Sequence, residues 1–198
     1  MLFIALMFVG VSNAQVSHDG DVKSEFSINA NGHEYVDLGF SVLWATCNVG
    51  AIKAEDIGGY YAWGETEVIG DYDDYLYRPT ADEFMELIEK CDWLSENYHG
   101  MKGYRVTGPN GNCIFLPAAG GDDGKGNDPD VGEDGNYWTS TMHSEDNGTK
   151  YEWARCFEFT MWSGQGTTLE ENGYYATPYD DYGMYRSIGC SVRPVMNR

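Results

Sequence analysis

Residues 80–91, TADEFMELIEKC, decide the fold class, because they form the one clearly amphipathic helical stretch of the sequence. Thr80 precedes Glu83 by three residues, which is the spacing of a capping box, in which each side chain satisfies a free backbone N–H at the start of a helix. Four residues then recur at helical spacing on one face, namely Phe84, Leu87, Ile88 and Cys91. The sequence therefore predicts a helix that begins directly after Thr80.

Short strand-like segments flank this helix on both sides. Before it, residues 35–39 and 41–46 are typical of two strands separated by Gly39, and residues 58–65 are predicted to form an aromatic strand bounded by glycines. After it, the step Asn110-Gly111 favours a tight hairpin between two strands. The segments predicted as strands after the helix are 104–107, 113–117, 136–141, 156–159 and 191–195. Many short strands around one or two helices predict an α+β domain.

The composition limits the classes of partner. A length of 198 residues fits one domain, and the formal net charge is -20. Such a surface repels phosphate backbones and anionic lipid, so nucleic acid and acidic membranes are unfavourable partners. Cations, neutral glycans and basic proteins remain compatible with this charge.

The amino terminus has the features of an export signal. Residues 2–11, LFIALMFVGV, are uniformly apolar but too short to span a bilayer, and Ser12-Asn13-Ala14 places small residues where a signal peptidase cleaves. We expect a signal peptide at 1–14, a flexible polar leader at 15–32 and one domain at 33–198; a buried N-terminal strand is the alternative for the apolar run. The protein is therefore predicted to be secreted, periplasmic or at the cell surface, with no membrane span.

The chain has five cysteines, all of them after the predicted signal peptide. An odd number permits at most two disulfides, and the absence of CxxC pairs argues against zinc and thioredoxin-like chemistry. We expect a bridge between Cys47 and Cys91, which lie close to Trp44 and Trp93 and would join the end of the helix to an early strand. The pairing of the other three, Cys113, Cys156 and Cys190, stays open.

Several segments, in this order, resemble the Fibrobacter succinogenes major paralogous domain, which is common in exported proteins of gut Bacteroidetes. The segments that carry the resemblance are 35–39 (YVDLG), 42–51 (VLWATCNVGA), 61–65 (YAWGE), 79–80 (PT), 108–111 (GPNG), 114–120 (IFLPAAG), 137–141 (YWTST) and 191–195 (SVRPV). The resemblance implies a C-type-lectin-like fold, distantly similar to formylglycine-generating enzymes and to variable proteins diversified by retroelements. In those variable proteins the last strands and loops display changeable residues, and the corresponding region here runs from about Thr139 to Arg193. The catalytic cysteine pair of the formylglycine-generating enzymes has no matching motif around Cys156 and Cys190, so their activity is not carried over.

The C-terminal part of the chain is rich in Tyr and Asp. Tyrosine gives a large contact area at low cost in conformational entropy, and its hydroxyl adds specificity, as in the binding loops of antibodies. The same residues are also ordinary constituents of half-buried strands. Since the resemblance favours binding, the expected ligand-binding residues are Trp162, Tyr174, Tyr179, Asp180, Tyr182, Tyr185 and Arg186.

An acidic loop follows Gly120 and offers oxygen ligands of the kind that calcium prefers. The stretch from Asp122 to Glu133 has the length of an EF-hand loop, but Gly124 and Gly126 replace two ligands and Asn127 replaces the turn glycine. An irregular calcium site is therefore one interpretation, and a solvated loop is the other. The candidate ligands are Asp122, Asp128, Asp130 and Glu133.

No catalytic constellation is recognisable. The four histidines are scattered without metal-ligand spacing, and neither a nucleophile elbow nor a phosphate-binding loop is present. Trp44, Trp63 and Trp138 are expected in the core, and Arg193 is expected to pair with a buried carboxylate, for which Glu65 is a candidate. We predict a non-catalytic binding module for a protein or a glycan; a hydrolytic enzyme on the same fold and a structural or assembly subunit are the alternatives.

Overall fold

The computed structural model describes residues 27–30, 33–65, 78–122, 130–142, 153–161, 174–175 and 183–198, which contain one helix and eleven strands. The helix is α1 (Ala81–Lys90). The strands are β1 (Ser27–Ala30), β2 (His33–Asp37), β3 (Val42–Ala45), β4 (Asp92–Tyr98), β5 (Met101–Thr107), β6 (Cys113–Pro117), β7 (Asp134–Met142), β8 (Trp153–Thr160), β9 (Tyr174–Tyr175), β10 (Met184–Tyr185) and β11 (Val195–Asn197).

The strands form three small sheets, in which every strand pair is antiparallel. One sheet has the order β1-β2-β3-β11, the second has the order β10-β8-β7 with β9 also on β8, and the third has the order β4-β5-β6. Small antiparallel sheets with one short helix are compatible with the predicted α+β class. The helix α1 is neither long nor apolar enough to cross a membrane.

The predicted helix start is confirmed. The backbone N–H of Glu83 donates to Thr80 Oγ1 at 3.1 Å, and the N–H of Thr80 donates to Glu83 Oε2 at 2.6 Å, so the capping box is complete. The apolar face is buried, and the Phe84 ring lies 4.9 Å from that of Phe157 in β8. The helix ends at Lys90, and its end is marked by the N–H of Cys91, which donates to the carbonyl of Leu87.

The predicted hairpin is also confirmed. Strands β5 and β6 pair from Thr107 opposite Cys113, and the turn between them has Gly111 at φ 83°, a left-handed conformation that glycine adopts without strain. The third strand of this sheet, β4, was not singled out from the sequence. It turns into β5 through His99 at φ 50° and Gly100 at φ 98°.

Two strand predictions are wrong in extent. The aromatic stretch 58–65 forms no strand and makes only an isolated bridge, between Tyr61 and Cys190. The closing segment pairs at Ser191 with Tyr137 and again from Val195 onward. Pro194 interrupts it because proline has no N–H to donate, although its carbonyl accepts the Ala45 N–H at 2.9 Å.

One described strand lies before the predicted domain boundary. Strand β1 lies inside the predicted flexible leader 15–32 and pairs with β2, from Ser27 opposite Val36 to Ala30 opposite His33. The first sheet therefore includes residues that precede the predicted boundary at His33. The predicted signal peptide, 1–14, lies outside the described residues.

Two main apolar clusters hold these elements together. The larger one packs α1 with residues of all three sheets and includes Trp44, and the second surrounds Trp138. Both tryptophans are fully buried, as predicted. Trp63 is only half-buried and packs against the edge of the second cluster, so the prediction of a core position holds for two of these three tryptophans.

All five cysteines are free thiols in this structure, and the predicted Cys47–Cys91 bridge is not formed. The two thiols have different surroundings: Cys47 Sγ donates to the carbonyl of Ala51 at 3.5 Å, whereas Cys91 lies at the end of α1. Burial raises the pKa of Cys91 and of Cys156 to about 12, so both are neutral thiols at physiological pH.

Candidate functional site

The structure describes three of the seven predicted ligand-binding residues. Tyr185 and Arg186 are described in full, and Tyr174 is described as a backbone position of β9, opposite Phe159 of β8. The other four, Trp162, Tyr179, Asp180 and Tyr182, lie outside the described residues. The geometry of the site therefore rests on Tyr185, Arg186 and their neighbours.

Tyr185 forms an exposed aromatic pair with Trp153, a residue that the sequence reading missed. The two residues are opposite each other on β10 and β8, and their ring centroids lie 4.1 Å apart with 37° between the planes. Tyr185 is 49% exposed and Trp153 is 41% exposed. Trp153 does lie inside the Thr139–Arg193 region, so a search of that region for every aromatic residue would have found it.

The aromatic pair lies at an apolar end of the sheet. Strand β7 ends with Met142, which is 43% exposed and aligns with Ala154, the residue that also faces Met184. Tryptophan and tyrosine at half exposure, side by side, make a patch of apolar surface of the kind that marks interaction sites. Met142 lies on the face of Ala154 and Met184, whereas Trp153 and Tyr185 share the other face, and we call these two residues the aromatic end.

Two guanidinium groups lie against one indole, and one of them belongs to Arg186, the residue that follows Tyr185 in the chain. The Arg186 guanidinium carbon is 4.3 Å from the centroid of the Trp63 ring, and that of Arg78 is 5.2 Å from it. These are cation–π distances. We call Arg78, Trp63 and Arg186 the arginine–tryptophan cluster.

Backbone contacts fix Trp63 in this position. Its indole N–H donates to the carbonyl of Thr139 in β7 at 2.9 Å, and its backbone N–H donates to the carbonyl of Arg186 at 2.8 Å. Gly64 follows at φ 94°, and Glu65 Oε2 accepts the Ala62 N–H at 2.9 Å. The YAWGE segment is therefore a turn that holds the indole, which explains why it is not a strand.

Arg193 has no carboxylate among its hydrogen-bond partners, so the predicted pairing with Glu65 is wrong. It is completely buried and donates from Nε to Asn48 Oδ1 at 2.9 Å. Its other donors, Nη1 and Nη2, reach the carbonyls of Ala45 at 3.0 Å and Phe115 at 2.9 Å. Burial lowers the pKa of Arg193. This arginine joins three chain segments and lies away from the surface.

Three of the four predicted calcium ligands, Asp122, Asp130 and Glu133, are described. The backbone N–H groups of Asp122 and Gly189 each donate to the carbonyl of the other residue. The carbonyl of Asp130, at the start of a turn, accepts the N–H groups of Glu133 and Asp134. Asp128 lies outside the described residues. Among the residues that the structure does describe, no three His, Cys, Asp or Glu side chains are grouped as metal ligands.

The acidic turn has an electrostatic consequence of its own. Burial raises the pKa of the Asp134 carboxyl, and the nearby charges of Asp130 and Glu133 add to this, while a hydrogen bond from Thr160 opposes it. Like charges that crowd a partly buried carboxylate are unfavourable for the folded state.

The aromatic end and the arginine–tryptophan cluster are thus the described features with the character of a ligand site. Comparison with family models, with curated proteins and with solved structures gives no match, so the resemblance to the Fibrobacter succinogenes major paralogous domain stays a prediction.

Proposed function

We propose that this chain is an exported, non-catalytic binding module whose ligand contacts the aromatic end. The observation that carries the proposal is the Trp153–Tyr185 pair, two large rings that contact each other at a tilted angle while each remains almost half exposed. Aromatic side chains contribute more contact energy per residue than other types, and they lose little conformational entropy when a ligand covers them.

The scaffold supports this use of the aromatic end. Trp153 begins β8, whose following residues are buried against both apolar clusters, so its backbone is held firmly. Tyr185 is held by the β10–β8 pairing. A ligand would therefore meet rings that are already in place, and preorganisation of this kind reduces the cost of binding.

The proposed ligand is a protein or a glycan outside the cytoplasm, since aromatic rings suit both the apolar face of a sugar and an apolar side chain. Trp162, Tyr174, Tyr179, Asp180 and Tyr182 are the residues that would extend the contact surface. A C-type-lectin-like fold remains part of the proposal and rests on the sequence motifs. Calcium remains a variable to test in the binding assay.

The competing explanation for the pair is sheet stability alone, because cross-strand aromatic pairs stabilise a sheet by about 0.2–1 kcal/mol. The test is a screen of a glycan array and a panel of extracellular proteins, with and without calcium, using the wild type and the variants Trp153→Ala and Tyr185→Ala. Leu94→Ala is the matched control, since Leu94 is a large apolar residue that is 52% exposed on a different sheet.

We expect each aromatic variant to weaken binding by about thirtyfold or more, the effect of removing a central aromatic contact. Leu94→Ala should bind as the wild type does. Binding that survives both aromatic substitutions, in variants that show only a lower melting temperature, would favour the stability explanation and refute the proposed site.

A further inference from the structure

We infer that Met184 is an oxidation site that controls the position of Tyr185, so that peroxide separates the two rings of the aromatic end. Met184 and Tyr185 together form β10, and their side chains lie on opposite faces of the sheet. Tyr185 contacts Trp153 on one face, whereas Met184 packs against the second apolar cluster on the other. The consequence for ligand binding rests on the proposed function, but the structural step does not.

The sulfur of Met184 lies against a second sulfur. The thiol of Cys190 donates to Met184 Sδ at 3.4 Å. Cys190 is completely buried, whereas Met184 is only partly buried and packs against the cluster that contains Cys190. An oxidant that arrives from solvent therefore meets the methionine before the cysteine.

Burial also makes the neighbouring thiols poor targets. It raises the pKa of Cys190 well above its usual value, and it raises the pKa of Cys156, in the same cluster, to about 12. Since the thiolate is the form that reacts with peroxide, both cysteines are expected to stay unreactive at neutral pH. A thioether has no proton to lose, so this protection does not extend to Met184.

The reaction at Met184 transfers one oxygen atom from hydrogen peroxide. A lone pair of Sδ attacks one peroxide oxygen, and the O–O bond breaks as the S–O bond forms. The departing hydroxide takes up the proton of the transferred oxygen and becomes water. The sulfur is oxidised by two electrons to a sulfoxide, which is a polar group.

The second apolar cluster is a poor environment for a sulfoxide oxygen. Its buried members are two aliphatic side chains, two thiols and one indole, whose N–H already donates to the carbonyl of Tyr61 at 2.7 Å. A thiol is only a weak donor. Because a polar oxygen without a good partner is costly to bury, we expect the sulfoxide of Met184 to leave the cluster and turn towards water.

Strand β10 is too short to hold Tyr185 once Met184 has moved. It pairs with β8 through two residue pairs, Met184 with Ala154 and Tyr185 with Trp153. Displacement of Met184 removes one pair together with the contacts to the cluster, so the second pair loses its support. The carbonyl of Arg186 still accepts the Trp63 N–H, so the opening is expected to stay local.

Met142 provides an internal comparison. It ends β7, lies on the same face of the sheet as Met184 and is 43% exposed. We expect it to react with peroxide at least as fast as Met184 does. Its sulfoxide oxygen would remain in water, so the packing of the sheet should not change.

The test treats the whole chain with hydrogen peroxide and measures two quantities by mass spectrometry. These are the oxidation of each methionine and the amide hydrogen exchange of the peptide that contains β10. The variants are Met184→Leu and Met142→Leu, which keep the approximate volume but cannot be oxidised, and Met184→Gln, which places a polar oxygen in the cluster without peroxide. Methionine sulfoxide reductases reverse methionine oxidation and so distinguish it from oxidation of cysteine.

We expect oxidation to raise the exchange rate of β10 about tenfold or more in the wild type and in Met142→Leu, and the reductases to restore it. Met184→Leu should not respond to peroxide, and Met184→Gln should exchange rapidly without it.

Three results would overturn the inference. Met184 could stay unoxidised while Met142 is fully oxidised, oxidised Met184 could leave the exchange rate unchanged, or Met184→Leu could respond as the wild type does. None of these measurements involves a ligand, so each such result leaves the proposed function standing. That function fails instead if Trp153→Ala and Tyr185→Ala bind as the wild type does in the screen described above.

Discussion

Arg193 donates from Nε to Oδ1 of Asn48 at 2.9 Å, and so joins residues that are 145 positions apart in the sequence. Both side chains are completely buried. The remaining donors of Arg193 reach backbone carbonyls of β3 and β6, so one guanidinium connects the first sheet with the third. A buried cation held by neutral oxygens is tolerated because its donors are aimed at fixed acceptors.

Replacing Arg193 by Met should lower the free energy of unfolding by about 3 kcal/mol, since the Asn48 amide oxygen and two buried carbonyls would lose their donor. Arg193→Lys should recover only part of this loss, because an ammonium cannot reproduce the planar fork. Urea denaturation measures both variants, with exposed Arg198→Met as the control. A loss below about 1 kcal/mol for Arg193→Met would contradict this role.

The capping box gives a second prediction. Thr80→Ala removes the acceptor for the Glu83 N–H and should destabilise the fold by about 1 kcal/mol, while Thr80→Ser keeps the hydroxyl and should cost much less. Chemical denaturation of the two variants side by side isolates the hydrogen bond from the methyl group. Equal stability of the Ala and Ser variants would show that the cap contributes nothing.

Asp134 gives a prediction that depends on pH. Its folded-state pKa is raised, so its charged form is disfavoured in the folded state; this penalty is present above the folded pKa and absent below the unfolded value. Asp134→Asn keeps an acceptor for Thr160 and should raise the melting temperature at pH 7 by about 2 °C. The gain should vanish in acid, and a gain that persists unchanged at about pH 3 would mean that charge is not its cause.

The thiols can be counted directly. The structure predicts five reactive thiols per denatured chain, whereas the Cys47–Cys91 bridge expected from the sequence would leave three. Ellman titration in denaturant, without reductant, distinguishes the two. In the native protein, Cys156 and Cys190 should react slowest, because both are buried and their pKa is raised by burial.

Local signals in the sequence predicted local structure well. The helix start at Thr80 and the turn at Asn110-Gly111 depend on hydrogen bonds and backbone angles within a few residues, and both are confirmed. Strands that pair with near neighbours, such as β2 with β3, were also found. The predictions that failed concern features that depend on distant residues. The YAWGE segment has the composition of a strand, but contacts with Arg186 and Thr139 hold it as a turn.

The candidate site was only partly predictable for the same reason. Composition indicates Tyr185 and Arg186, but nothing local indicates that Trp153 packs against Tyr185 or that Trp63 lies against Arg186. Both relationships arise from pairing between segments far apart in the chain. The prediction of a carboxylate partner for Arg193 failed for a similar reason. A buried positive charge suggests a negatively charged partner, whereas the fold supplies a side-chain amide and two backbone carbonyls.

The pairing of β11 with β3 bears on the order of events during biosynthesis. The sheet that contains the earliest strands receives its final member only when residues 195–197 have been made, more than 140 positions after β3. A nascent chain therefore holds its early strands without a finished sheet for most of translation, and contacts between such distant segments form slowly. Until residues 195–197 emerge from the ribosome, the first sheet lacks one of its four strands, and β3 remains an unpaired edge that another chain could join.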